Sequence, residues 1–402
     1  MDAPRALITG ASIAGLTTAY WLGKTGWTVE VVERFDEFRS GGQNVDIRGA
    51  AHDVIAQMGM TEQVKANNTT EEGTSYIGGR GQLLGGIPAS QEQDGPTAEL
   101  EILRGDLAQV ILDGLPASVS VRYGDRVSSI VEKGQEVEVA FESGNTGTWD
   151  LVVIAEGVRS RTRDLVFGTS VDKRELGLNM AYGTIPRIPS DDRWWRWYVA
   201  PGRRGITLRP DNVGTTRATL AYLDRDSRIS DFTPQRATAE LARVFAGAGW
   251  QADRVTSGFL DSDDVYMDAL TQIRMPSWSK GRTIVTGDAA WCVTPLGGGG
   301  TSLALVGGYV LAAFLSQSER SDPATAVHRY EQWMRPFVAK VQDLPKGIPD
   351  LFYPKTWWGT SILRTVWRAL SAKPFRSLGA SFSRVAQADR DLPVMQFPQA
   401  NG

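Results

Sequence analysis

The sequence predicts an α/β fold in three parts. A Rossmann-like domain is built from both ends of the chain, an antiparallel β-sheet domain is inserted between them, and helices close the C-terminus. Three observations predict it. The N-terminal run RALITGASIAGLTTAYWLGKTGWTVEVVER reads as strand, glycine turn, helix, strand. A second apolar strand, RTIVTGD, leads into four consecutive glycines and an uncharged helix some 280 residues later. Between them, from about Thr169 to Ser279, segments such as WRWYVA, GITLRP and TRATLAYL alternate with a period of two, the texture of a half-buried sheet.

The elements follow in order. RALITG is a short buried strand ending at Gly10, and Gly26 stops the helix after the first turn. SGGQNVDIRGAAHDVIAQMGM reads as a glycine-rich turn, a short strand and then a helix, and EILRGDLAQVILDGL runs from a strand end into a helix. A series of short strands leads to the apolar strand LVVIA. PQRATAELARVFAGAG is a helix beside the inserted sheet. AVHRYEQWMRPFVAKVQ and TSILRTVWRALSAKPF are C-terminal helices, the second expected to brace the two lobes. The expected boundaries are residues 1–168 with 280–345 for the first domain, some of whose strands are expected to join the inserted sheet, 169–279 for the inserted sheet domain and 346–402 for the C-terminal helical segment.

Composition narrows the function classes. The 402 residues carry 43 basic and 46 acidic side chains, a net charge of −3, without a long basic run, so no nucleic-acid footprint is expected. One cysteine, Cys292, excludes an intramolecular disulfide, and two histidines exclude a Cys/His metal cluster. The N-terminus enters an apolar strand at once, so no secretory leader is expected and a cytoplasmic location fits. Residues 289–318 lack charge, but their helical part, Thr301 to Leu315, is shorter than the ~20 residues a spanning helix needs. Membrane contact is therefore not expected. The partner is a small molecule, and the chain is expected to be a monomer or weak dimer.

Three turns carry chemistry. In GASIAG, Gly10 makes the tight turn and Gly15 allows close packing of helix and strand, while the helix start offers N–H groups to a pyrophosphate. Ser12 occupies the place where the G-x-G-x-x-G pattern has its second glycine. Glu33, at the end of the next strand, suits ribose hydroxyls. The second turn, GDAAWCVTPLGGGGTSLAL, places Asp288 at a strand end and a second helix start near Thr301–Ser302, favourable to an anionic ring edge. The third, AEGVRSRTR, is a strand-to-helix turn with Glu156, Ser160 and Arg163.

Together these turns resemble the FAD-dependent aromatic hydroxylases, class A flavoprotein monooxygenases of the para-hydroxybenzoate hydroxylase fold. They look closest to the tetracycline-monooxygenase-like branch, over residues 5–340. The resemblance implies FAD as cofactor, NADPH or NADH as transient reductant, and oxygenation of an aromatic or polycyclic molecule through a flavin hydroperoxide. Natural-product biosynthesis or antibiotic modification is the implied setting. It implies that Gly10, Ser12, Ile13, Ala14 and Gly15 hold the pyrophosphate, and that Glu33 and Arg34 bracket the AMP ribose and adenine. Arg39 reaches the phosphates, Arg104 the ribityl region, and Val127 the adenine through its backbone. Asp288 accepts from ribityl hydroxyls, and Pro295 with Gly297, Gly298, Gly299, Gly300, Thr301 and Ser302 lines the isoalloxazine. Glu156 replaces an Asp, Trp291 a His and Ser302 an Asn of many members.

The thirteen tryptophans read first as core and helix packing; the alternative is an aromatic-lined substrate cavity with RWWRWY as its wall, where Trp195 and Trp197 share one strand face and Pro295 is a further substrate candidate. No side chain reads as a catalytic base, and no metal is expected. Two alternatives share the fold: a flavoprotein reductase or dehydrogenase that does not oxygenate, and a non-catalytic flavin-bearing binder.

Overall fold

Apolar β-branched runs flanked by glycine form the centre of the molecule, as the period and length of those runs require. The computed structural model describes residues 3–89, 100–319, 322–345, 347–371 and 391–398. Arg5–Thr9 lies in the middle of a six-stranded sheet, paired in parallel with Thr28–Val32 on one side and Leu151–Ile154 on the other. Thr283–Val285 continues that side and Val119–Arg122 the other. The chain leaves the central strand in one direction and returns in the other. Such a switch point opens a crevice beyond the carboxyl ends of the strands.

Two helices meet over this sheet. Ile13–Lys24 follows the central strand, and Gly300–Ser316 crosses it at Gly308. A Cβ on Gly308 would lie 2.9 Å from the backbone nitrogen of Thr18, so only glycine allows this approach. Trp21 and Tyr309 pack edge to face beside the crossing, with centroids 5.0 Å apart. Residues 391–398 lie along the second helix: Tyr309 Oη donates to the Pro393 carbonyl at 3.1 Å, the Gln396 amide donates to Ser316 Oγ at 3.0 Å, and Met395 is buried.

The inserted stretch forms a seven-stranded sheet, but not alone. Its order is Tyr266–Arg274, Asp172–Pro186, Thr215–Leu223, Arg204–Pro210, Trp194–Ala200, Gly73–Ile77 and Leu83–Pro88. The last two strands come from the N-terminal half, and Gly73–Ile77 joins in parallel. Pro234–Phe245 and a second helix, Ala252–Leu260, cover one face through Leu241, Phe245 and Phe259 against Ile185, Ile206 and Leu220. The opposite face looks toward the crevice. Asn44–Ile47 pairs with Leu100–Leu103 between the two large sheets.

Trp367 on the helix Trp357–Ser371 stacks on Tyr76 at 4.5 Å, and Arg364 donates to the Val199 carbonyl at 2.9 Å. The described part of this helix therefore packs on the edge of the seven-stranded sheet. The link toward the other lobe comes earlier, where Tyr353 shares an apolar cluster with Leu178 and Leu296. The helix expectation beyond Ser371 lies outside the described residues. No described helix is long and apolar enough to cross a membrane.

Candidate active site

The GASIAG turn is fixed by backbone. Gly10 has φ +101°, its amide donates to the Val32 carbonyl at 2.8 Å, and a Cβ there would lie 2.6 Å from the Ala155 carbonyl oxygen. A Cβ on Gly15 would lie 1.9 Å from the Gly10 carbonyl oxygen. Ser12 is the N-cap of the helix, yet its hydroxyl does not cap it. The hydroxyl instead accepts from Arg104 Nη1 at 3.1 Å. The first helical turn, with Ile13 and Ala14, thus keeps its N–H groups for an anion, and no acidic side chain stands in that turn.

Arg104 begins the helix Arg104–Asp113 and also donates to the Gly41 carbonyl at 2.9 Å. Burial, then the nearby Arg39 charge, lowers its pKa. Arg34 and Arg39 both lie over the Phe35 ring, at 4.6 and 4.5 Å. Glu33 accepts from the Ala11 amide at 2.9 Å and the Phe35 amide at 3.2 Å, so its carboxylate braces the turn as well as facing the crevice. Gly10, Glu33, Arg34, Val127 and Glu156 line one cavity. Glu156 itself is engaged: it accepts from Ser160 Oγ at 2.7 Å and the Thr162 amide at 3.2 Å, closing the turn before the helix Arg161–Phe167.

The second turn abuts the first. A Cβ on Gly287, at φ +61°, would lie 2.6 Å from Ala14 Cβ. Asp288 therefore stands at the floor of the crevice, where surrounding protein and then the Asp268 charge push its carboxyl up to about 6. Asp268 is paired with Arg159 at 2.6 Å, an ion pair between the two large sheets' lobes. Gly298 and Gly299 both have positive φ, +66° and +69°, and the second is the N-cap of Gly300–Ser316. Nothing lies within 4 Å of a Cβ on Gly298, so this loop is an open cradle. Thr294, before Pro295, is held at φ +65°, strained for a β-branched residue. Thr301 stands in the first turn of the helix, and Ser302 Oγ accepts from the Arg48 amide at 2.9 Å, tying the helix start to the end of Asn44–Ile47.

Trp195 and Trp197 share the crevice-facing side of their strand, while Tyr198 points into the helix-covered core and donates to the Ala248 carbonyl. Strand register sets a row across this face: Tyr76, Trp197, Thr207, Thr219, Tyr182 and Tyr266. Small threonines form its floor and aromatic rings its sides. Pro295 begins the loop whose Leu296 packs near Met180, at the margin of the same face. Trp195 is capped by the Arg209 guanidinium at 3.9 Å from the ring centroid. Arg209 in turn meets Glu71, Glu101 and Asp46 at 2.8, 2.9 and 3.7 Å.

Sequence reasoning missed Arg209, Glu71 and Tyr182. The alternation in GITLRP and TRATLAYL placed residues on faces but did not say which face met the crevice. Trp291 is buried against Trp278, with centroids 4.4 Å apart, and so packs the core beneath the cradle. Among the described residues no His/Cys/Asp/Glu group could hold a metal.

A sequence-family profile described as FAD binding domain matches residues 4–344. The flavin-dependent monooxygenase eupH of Phoma sp. is 31% identical over 91% of this chain and 91% of its own length. An uncharacterized protein of Mycobacterium tuberculosis, Rv1260, is 34% identical over 85% of this chain and 94% of its own. The crystal structure of the tetracycline destructase Tet(55) superposes with a TM-score of 0.80 at 28% identity, covering 100% of both chains.

Proposed function

The chain belongs to the FAD-binding domain family, and from that premise we propose that it is an FAD-dependent monooxygenase. It uses NADPH or NADH and dioxygen to oxygenate an aromatic or polycyclic small molecule. The observation that carries this reading is the convergence of two uncapped helix starts on one crevice, opposite a sheet face floored by threonine and walled by aromatic rings.

The residues present fit FAD. The open Gly298 cradle and the uncapped turn at Gly10 to Gly15 leave room for a group at both ends of the crevice. In this reading the first turn binds the diphosphate through Ser12, Ile13, Ala14 and Gly15, with Arg104 and Arg39 supplying positive charge. Glu33, Arg34 and Val127 take the adenosine end. Asp288 accepts from the ribityl hydroxyls, and Pro295 with Gly298 to Ser302 faces the ring. When bound there, FAD supplies hydride acceptance and dioxygen activation.

The protein's own part is orientation and exclusion of water. Trp197 and Tyr182 hold a flat substrate between them above Thr207 and Thr219. Trp195 borders the same wall. Neutral phenolic groups suit this role, because burial keeps Tyr182 and Tyr266 protonated well above neutral pH. The enzyme acts as a cytoplasmic monomer or weak dimer.

The test is spectroscopic and isotopic. Purified protein should carry FAD, and a panel of phenolic polyketides should contain a compound that accelerates NADPH or NADH oxidation together with oxygen uptake. Label from heavy-isotope dioxygen should appear in the product. Turnover that proceeds equally well without oxygen would sink the monooxygenase reading in favour of a reductase or dehydrogenase.

A further inference from the structure

The helix Trp357–Ser371 packs on the sheet edge by one side and shows apolar residues on the other. Thr360, Leu363 and Trp367 are buried on the inner side. Trp358, Ile362 and Val366 recur every fourth residue, so they stand in one row along the outer side. Trp358 is 57% exposed and Ile362 58%, Val366 is exposed with them, and Trp357 at the helix start is 72% exposed. Beside the helix runs the edge strand Leu83–Pro88, whose Leu83 is exposed as well. Single exposed apolar residues are ordinary on a protein surface, but a contiguous group marks a contact. A helix that already packs by one face has no folding use for a second apolar row.

The charges along this helix have one sign. Lys355, just before it, and Arg368 are exposed, and no acidic residue occurs from Lys355 to Ser371. Arg80, in the turn before Leu83, is exposed too. The whole chain carries more acidic than basic residues, 46 against 43, so this side reverses the overall balance. A second copy of the chain is a poor occupant. In a two-fold contact the same patch meets itself, which sets positive charge against positive charge. A bilayer with acidic headgroups fits better. It takes aliphatic side chains into its acyl boundary, holds tryptophan at the headgroup level and attracts lysine and arginine. The outer side of the helix is also convex, a shape that a fluid layer accepts without a preformed groove.

We propose that the outer side of Trp357–Ser371, with Leu83 beside it, docks on an anionic phospholipid surface. The contact is peripheral, since no described helix is long and apolar enough to cross a bilayer. Trp358, Ile362 and Val366 enter the boundary between headgroups and acyl chains, while Trp357, Lys355 and Arg368 stay at the headgroup level. The docked helix also touches the crevice face of the seven-stranded sheet. Its Trp367 stacks on Tyr76 at 4.5 Å, and Tyr76 ends the aromatic row across that face. Docking therefore brings the rim of the candidate substrate wall to the lipid, where a greasy ring compound accumulates. That consequence rests on the monooxygenase reading, whereas the docking does not.

The test is co-sedimentation of the full-length protein with vesicles of phosphatidylcholine, prepared with and without phosphatidylglycerol. The partition coefficient should be at least about tenfold higher on the anionic vesicles, and the excess should vanish at about 1 M salt, where charges are screened within about 3 Å. The double variant Trp358→Ser with Ile362→Ser should lower partitioning about tenfold or more. Arg368→Glu should lower it by a similar factor, about tenfold, on anionic vesicles alone. Leu260→Ser, at an equally exposed apolar residue on the helix that covers the sheet's other face, should change nothing. These side chains face solvent, so the Tm of each variant without vesicles should match the wild type. Equal partitioning on neutral and anionic vesicles overturns the proposal, as does a double variant that binds as the wild type does. Self-association by light scattering that the double variant loses, without vesicle binding by the wild type, assigns the face to a second copy and also overturns it. No reductant or substrate enters the assay, so a protein that binds vesicles but does not oxygenate refutes the proposed function and leaves the docking surface standing.

Discussion

Gly15→Ala is the most demanding test of the cofactor turn. The added Cβ would sit 1.9 Å from the Gly10 carbonyl oxygen, roughly 1.5 Å inside ordinary van der Waals contact. Both partners are backbone, one in the helix and one in the turn, so no side-chain rotation relieves the clash. Overpacking of this kind costs about 1–3 kcal/mol and sometimes more. The helix propensity of Ala over Gly returns about 1 kcal/mol. Because the clash is between two backbone segments the upper end of the cost applies, so a net loss of about 2 kcal/mol falls on the turn that would carry the pyrophosphate, equivalent to roughly a 30-fold rise in the Kd for FAD. The variant should therefore purify largely colourless and melt below the wild type in a fluorescence scan of the apoprotein. Gly300→Ala is the comparison: its Cβ would meet Val293 Cγ2 at 3.6 Å and Asp288 Oδ1 at 4.0 Å, both ordinary contacts. Its apoprotein Tm should equal or exceed that of the wild type. A Gly15→Ala protein with full FAD content and an unchanged Tm would refute the close-packing argument.

Three further outcomes follow from the same geometry. Ser12→Ala removes the acceptor from Arg104 Nη1 and should weaken FAD binding by about tenfold, measured by titration of the apoprotein; unchanged affinity would mean that Arg104 acts on the cofactor without Ser12. Thr294→Gly relieves a residue at φ +65° and should stabilise the protein against urea by about 1 kcal/mol, whereas a loss of stability would show the conformation to be unstrained. Glu71 has a folded pKa of about 8, raised above its usual value of 4.5. Its contribution to stability is full below the unfolded value and is lost as pH rises through the folded one. The wild-type Tm should fall between about pH 4.5 and 8 more than that of Glu71→Gln, and parallel profiles for the two across that window would contradict this.

The parts of the fold that were legible in the sequence are those set by local periodicity and by glycine. The first strand, turn and helix follow from an apolar run ending at Gly10, and the two-residue period put Trp195 and Trp197 on one face. What stayed hidden depends on distant partners. Arg104 is 92 residues from Ser12, and Arg209 is 138 from Glu71, so nothing local marks either pair. Glu156 reads in sequence only as a replacement for an Asp in a strand-to-helix turn, because its engagement by Ser160 and Thr162 depends on how far the longer side chain reaches around the turn. Strands of the first 168 residues are expected in the inserted sheet, but that Gly73–Ile77 is one of them stays hidden, because a parallel pairing across more than a hundred residues has no turn signature. The helix Ala252–Leu260 escaped notice because Gly247 and Gly249 break the pattern just before it.

The crossing of Ile13–Lys24 with Gly300–Ser316 bears on how the molecule is made. The first of these helices leaves the ribosome early and waits for the second until roughly three quarters of the chain has been synthesised. Contacts this far apart in sequence form slowly and expose apolar surface in the meantime. A nascent chain stopped before Gly300 holds only one of the two anion-facing ends, so translation arrest short of that point should yield chains that retain no flavin.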